Sequence, residues 1–149
     1  MNISELTNRL KEICLNHVDI KSFHIGNTWD MATGKASDVY PAVWQEMPVL
    51  VEYTLKEKTY TFSLDVLMLP HQDNVEDELS KQSQCEVIAD VLLQAFKLKI
   101  GHLNVGRLTG LTVKNLNADI ATGVRIDIQF ITNRECDILS YFKENMDRL

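Results

Sequence analysis

No stretch of this 149-residue sequence approaches the roughly 18 uncharged apolar residues that a membrane-spanning helix needs. A membrane protein is not expected. Cysteine is scarce: Cys14, Cys85 and Cys136 are odd in number, far apart and without a C-x-x-C pair, which suits plain thiols in a reducing compartment better than a disulfide framework. The first eleven residues carry Glu5 and polar side chains where a secretory signal would need a basic start and a continuous apolar run, so no export is indicated. Clusters of Lys and Arg are missing as well. An electrostatic grip on nucleic acid depends on such clusters to neutralise phosphates and release counterions, so tight, sequence-independent DNA binding is disfavoured. Internal repeats, low-complexity tracts and dividing linkers are also lacking. The chain therefore reads as one domain, 1–149, long enough to bury a core without disulfides or a structural metal.

What is present is an ordinary soluble composition, 45% apolar and 24% charged, with a net charge of −6 that is unevenly placed. Seven acids, Asp65, Asp73, Glu76, Asp77, Glu78, Glu86 and Asp90, face Lys81 alone in one segment, a balance equal to that of the whole chain. Apolar residues at Ile3, Leu6, Leu10 and Ile13, behind a capping Asn2 or Ser4, predict a helix over about 4–16. A short β segment at 23–25 and an irregular loop "GNTWDMATGKASD" follow, the loop anchored by Trp29 and Met31. Pro41 and Pro48 bracket a short strand expected on a sheet edge or beside a bulge. The clearest hairpin pairs strands over about 49–55 and 59–69 around a Lys56-Glu57-Lys58 turn and is expected at the centre of an antiparallel sheet.

From Val75 the period becomes helical, with Val75, Leu79, Gln82, Cys85, Ala89, Leu92 and Phe96 on one face and an end near 97–99. Gly101 and Gly106 mark turns, residues 102–123 hold one or two short strands at most, and "VRIDIQFIT" is a last amphipathic strand. The tail from about 136 reads as a short helix or a flexible arm. These elements make an α+β fold, an antiparallel or mixed sheet of about four to six strands packed against one long and one shorter helix.

Several groups invite a chemical reading. In "LMLPHQDNVEDE", Asp65 from the strand with His71, Asp73 and Glu76 or Asp77 would be the ligands of a small metal-dependent hydrolase. Helix capping accounts for the same acids, since Asp73 with Glu76, or Asn74 with Asp77, supplies acceptors to free amides, and acids in a first turn meet the positive end of the helix dipole. His71 is then a loop residue. "GHLNVGRL" has the spacing of a phosphate loop, but Arg107 and Leu108 stand where its lysine and hydroxyl belong. No cysteine has a histidine placed beside it, and no catalytic motif for a serine or zinc enzyme occurs. No enzyme, cofactor or metal is therefore called for. Trp29, Tyr40 and Trp44 are either core aromatics or anchors for a partner.

The order of amphipathic helix, "FHIGNTWDM", "YPAVWQEM", a hairpin ending "YTFSLDVLML", an acidic cap, the long helix "DELSKQSQCEVIADVLLQAF" and a late "GVRIDIQF" resembles the small neck proteins of tailed bacteriophages, of the tail-completion or tail-terminator type. The resemblance implies a structural virion protein, made in the host cytoplasm, that forms a hexameric or dodecameric ring between the portal or another neck protein and the tail. DNA would pass through the ring without specific binding, and Glu76, Asp77 and Glu78 would offer an acidic face to the channel or a partner. It supplies no site residues. A non-catalytic adaptor in another complex is the remaining alternative.

Overall fold

The fold is described from a computed structural model, which covers residues 2–26, 40–71, 74–100, 104–113, 121–134 and 143, with 104–113 by backbone alone. Helix α1 (Ile3–Asn16) opens the chain. Of the two candidate caps it is Asn2 that acts: its Oδ1 accepts from the Glu5 amide at 2.9 Å. The helix then buries Leu6, Leu10 and Cys14 on one face, as the three- and four-residue spacing requires.

Six strands follow: β1 (Ser22–Gly26), β2 (Ala42–Glu46), β3 (Leu50–Tyr53), β4 (Glu57–Met68), β5 (Asn104–Val113) and β6 (Thr122–Asn133). They form a mixed sheet in the order β1-β2-β4-β6-β5, with β3 paired to β4 off that path. Only β1 and β2 run parallel among these pairs. The centre is β4 against β6, in register from Glu57↔Asn133 to Met68↔Thr122. On its other side β4 is shared: β3 pairs residues 58–61 and β2 pairs residues 64–67.

The second helix, α2 (Val75–Lys99), lies with α1 on one face of this sheet. Between them runs the core. Tyr60, Phe62, Leu64 and Val66 from β4 and Val124, Ile126, Ile128 and Phe130 from β6 meet Cys85, Ile88, Ala89, Leu92 and Phe96 from α2. The period-two alternation of both strands, read from sequence, is what aims these side chains to one side. Two polar contacts fix the layers: Gln45 Nε2 donates to Thr7 Oγ1 at 3.0 Å, and Gln82 Nε2 donates to Thr122 Oγ1 at 2.9 Å.

Four expectations need correction. The strand between Pro41 and Pro48 is not an edge, because β2 is flanked by β1 and β4. Both prolines lie just outside residues 42–46, so neither removes a ladder donor. The hairpin turn is Thr54 to Glu57, closed by Thr54 N donating to the Glu57 carbonyl at 2.9 Å and Glu57 N donating to Thr54 Oγ1 at 3.0 Å. Its first strand is short and pairs only with β4, so half of the hairpin is peripheral. Gly106 is no turn; it sits in the ten-residue β5 at a shift of register between Val105 and Leu108, where a bulge inserts residues without partners.

The last correction concerns α2, whose Val75 and Leu79 are exposed. A seven-residue apolar step falls behind a 3.6-residue helix by about 20° per repeat, so a stripe centred on Phe96 has rotated out of the core by Val75. The start of α2 settles one alternative. Asn74 is the N-cap, its Oδ1 accepting from Asp77 N at 3.0 Å, and Asp77 Oδ2 in turn accepts from His71 N at 2.7 Å. Asn74→Ala should lower stability by about 1 kcal/mol, read as a lower urea midpoint at unchanged slope. An unchanged midpoint would mean that the cap is not formed.

Candidate functional site

Asp65 projects from the sheet face opposite the one that packs on α2, the helix carrying Glu76. The residues named for a hydrolase are thereby split. Among the described residues no group of three or more His, Cys, Asp or Glu is gathered as a metal ion would require. His71 is an exposed loop residue, and Asp73, like His102 and Cys136, lies outside the described residues. Cys14 and Cys85 are buried thiols, pushed up to about 12 by that burial, which leaves almost no thiolate.

Of the three aromatics, Trp29 lies outside the described residues. Trp44 is packed: it is 6% exposed, stacks on His24 with ring centroids 5.1 Å apart, and donates from Nε1 to the Gly26 carbonyl at 3.3 Å. Its ring is taken up within the fold. Tyr40 is half-buried against the small cluster of Trp44, Leu67 and Ala121.

Register brings four of these side chains into one cross-strand row, His24 on β1, Trp44 on β2, Asp65 on β4 and Arg125 on β6. The row ends in a charge cluster. Arg125 Nε lies 2.8 Å from Glu46 Oε2 and 3.2 Å from Asp65 Oδ1, while its Nη2 donates to Glu46 Oε1 at 2.9 Å. Beside it Ser63 Oγ donates to Asp127 Oδ1. Asp65 is fully buried, and its Oδ2 has no hydrogen-bond partner among the described residues. Burial first, and then the Glu46 carboxylate, push the Asp65 carboxyl up to about 7, against the opposing pull of Arg125. One guanidinium thus serves two carboxylates, and below about pH 7 a proton on Asp65 relieves the surplus charge. The arrangement clamps β2, β4 and β6 together and stores a titratable proton.

Sequence reasoning found Asp65 and Trp44 but not Glu46, Arg125 and Asp127 as their company. The available signal was an acid inside the apolar run "LDVLML", which demands a buried cation from somewhere. Only the β4–β6 register says that the cation is Arg125.

Exposed apolar residues are spread over the described surface, Val18, Leu50, Val75 and Leu79 among them, and two further groups lie at the hairpin tip and on α2. At the β3–β4 tip Leu55 is 95% exposed and Tyr53 65%. The tip is nonetheless held, since Arg134 N donates to the Lys56 carbonyl at 2.8 Å, Arg134 Nη1 donates to the Thr54 carbonyl at 2.6 Å, and its guanidinium lies 5.2 Å from the Tyr53 ring centroid. On α2, Val87, Val91 and Leu98 are 66%, 47% and 78% exposed. Steps of four and seven residues put them on one strip, on the side of α2 away from the core. Among the described residues no helix is long and apolar enough to cross a membrane, so the strip is not part of a helical span. No protein-family model matches the sequence, and no curated protein is significantly similar to it.

Proposed function

We propose that this chain is a non-catalytic structural subunit that assembles into a ring, in the manner of the phage neck proteins its layout resembles. The observation that carries the reading is the pair of dissimilar apolar patches, a rigid hairpin tip and a helix strip, on one domain. A head-to-tail contact uses two different surfaces of each subunit and closes into a ring when its rotation allows, whereas a two-fold dimer needs only one self-complementary patch. Exposed apolar strips on an otherwise charged surface mark such contacts. In the phage setting the ring joins a portal or neighbouring neck protein to the tail and belongs to the virion.

The acidic balance of the chain suits a passage for DNA, because a negative wall repels phosphates and no counterion-releasing grip forms. Native mass spectrometry and sedimentation of the purified protein should give a discrete mass of six or twelve subunits. A monomer that persists at high concentration and ignores portal and tail proteins would remove the proposal.

The acidic start of α2 gives a separate test of the channel reading. Asp77 is occupied in the cap, so charge reversal belongs at Glu76 and Glu78, which no described hydrogen bond engages. Glu76→Lys with Glu78→Lys should leave the ring mass intact and raise retention of duplex DNA in low salt, with the gain lost as salt increases. If retention is unchanged, these acids serve the helix dipole and no channel.

A further inference from the structure

We infer that Glu46, Asp65 and Arg125 form a proton-controlled latch that fastens β2, and β1 with it, to the centre of the sheet. The latch does not depend on ring assembly. Among the described strands β1 pairs with β2 alone, and β2 meets β4 only from Ala42 to Gln45. Glu46 lies just past the last of these pairs. Arg125 reaches it from β6, across the intervening β4, and grips both carboxylate oxygens at 2.8 and 2.9 Å. A two-point bond between a guanidinium and a carboxylate is strong and directional, so this bridge ties the end of β2 to a strand with which it does not pair.

Asp65 sits between them on β4, fully buried and in the same cross-strand row. While it holds a proton, Glu46 and Arg125 match charge for charge. On ionising it places a second negative charge beside Glu46 and competes for the same guanidinium through Oδ1, while Oδ2 meets no donor among the described residues. The groups that act on its charge are Glu46 from β2 and Arg125 and Asp127 from β6, whereas His24 and Tyr40 lie against Trp44 and its cluster. Asp65 cannot withdraw from this conflict, because β4 is paired on both sides of it and is in register with β6 from Glu57 to Met68. Glu46 can, since it is the terminal residue of its strand. Relief therefore comes on the β2 side. The end of β2 parts from β4, breaking the Gln45–Thr7 hydrogen bond to α1, and takes β1 along through the Met47 amide bonded to the Gly26 carbonyl, while β4 and β6 stay joined. Burial, which raises the Asp65 carboxyl to about 7, sets the release near neutral pH.

Native-state hydrogen exchange, resolved by residue on the whole chain between pH 5 and pH 8 and corrected for the intrinsic effect of pH, tests the latch. Amides of 22–26 and 42–46 should open in a step of their own that costs less than the opening of β4 and β6. An opening that returns Asp65 to its ordinary range gains about tenfold per pH unit up to about pH 7, so the step should be about 100-fold more frequent at pH 8 than at pH 5. In Asp65→Asn it should not depend on pH, and in Glu46→Gln the dependence should shrink because Arg125 then serves Asp65 alone. Amides of β1 and β2 that open only together with β4 and β6 at every pH would show that the proton bears on the whole fold and on no latch. A separate opening that ignores pH, or one that keeps its pH dependence in Asp65→Asn, overturns the inference as well. Should Asp65→Asn not fold, Glu46→Gln decides: an undiminished pH dependence there removes Glu46 from the latch, and the latch with it.

Discussion

Gly123→Ala should cost the protein most of its stability, although it adds a single carbon. Gly123 lies in β6 directly opposite Leu67 of β4, at the centre of the sheet. A Cβ there would stand 1.8 Å from the Val66 carbonyl oxygen, 2.8 Å from its carbon and 3.1 Å from Leu67 Cα. All three are backbone atoms, so no side chain can swing aside. The cause is space and not conformation, since no described glycine has a positive φ.

To admit the methyl group, β4 and β6 must part at the strand pair that carries the largest share of the core. Overpacking commonly costs about 1–3 kcal/mol and more where nothing can relax, and losses above about 4 kcal/mol belong to this kind of defect. For a chain of this size each kcal/mol lowers the melting temperature by about 2–4 °C, so a fall of about 10 °C or more is expected by circular dichroism. The exposed Ser83→Ala, on α2, should change it little. A Gly123→Ala protein that melts within a degree or two of the parent would mean that β4 and β6 are not apposed as described.

The second large effect is expected at Arg125. Arg125→Ala leaves Glu46 without its counter-charge and takes from the buried Asp65 its hydrogen-bond donor, and a buried polar group left without its partner costs about 1–3 kcal/mol. Its pH dependence has a definite sign. The Asp65 carboxyl is raised from 3.8 to about 7, so the folded protein holds a proton that the unfolded chain has released. That contribution is complete below about pH 4 and is lost as pH climbs through about 7.

The parent protein should therefore lose about 3 kcal/mol between pH 5 and pH 8, at 1.36 kcal/mol for each pH unit over which one extra proton is bound. Asp65→Asn keeps an acceptor for Arg125 and removes the titration, so its urea midpoint should be flat across this range and above the parent's at pH 8. In Arg125→Ala the fall should move to still higher pH, because the group that favours the charged carboxylate is gone. A parent protein that gains stability from pH 5 to pH 8, or an Asp65→Asn protein that keeps the slope, would show that Asp65 does not hold this proton.

Much of the architecture was legible because two periods are written into the chain. Alternation at Tyr60, Phe62, Leu64 and Val66 and again at Val124, Ile126, Ile128 and Phe130 predicts the two strands that form the centre, and the caps and spacing of α1 and α2 predict both helices. Less was legible of the apolar residues left outside the core. Leu55 and the Val87, Val91 and Leu98 strip read as ordinary apolar residues until burial is known, because hydrophobicity alone does not tell which side of an element lacks a neighbour. Expectations for Trp29, for Asp73 and for the tail from 136 fall on residues outside those described.

The sequence by itself determined both helices, the alternating strands β4 and β6 and the acid-capped start of α2, for these depend on neighbours a few residues apart, whereas β5 was not legible. Only the tertiary structure decided that β2 is internal, that Arg125 answers Asp65 and Glu46, and that no described residue covers the hairpin tip or the α2 strip. The first two depend on which strand lies beside which: β2 is made internal by partners some twenty residues away, and Arg125 meets Asp65 and Glu46 across 60 and 79 residues, pairings that no local pattern specifies.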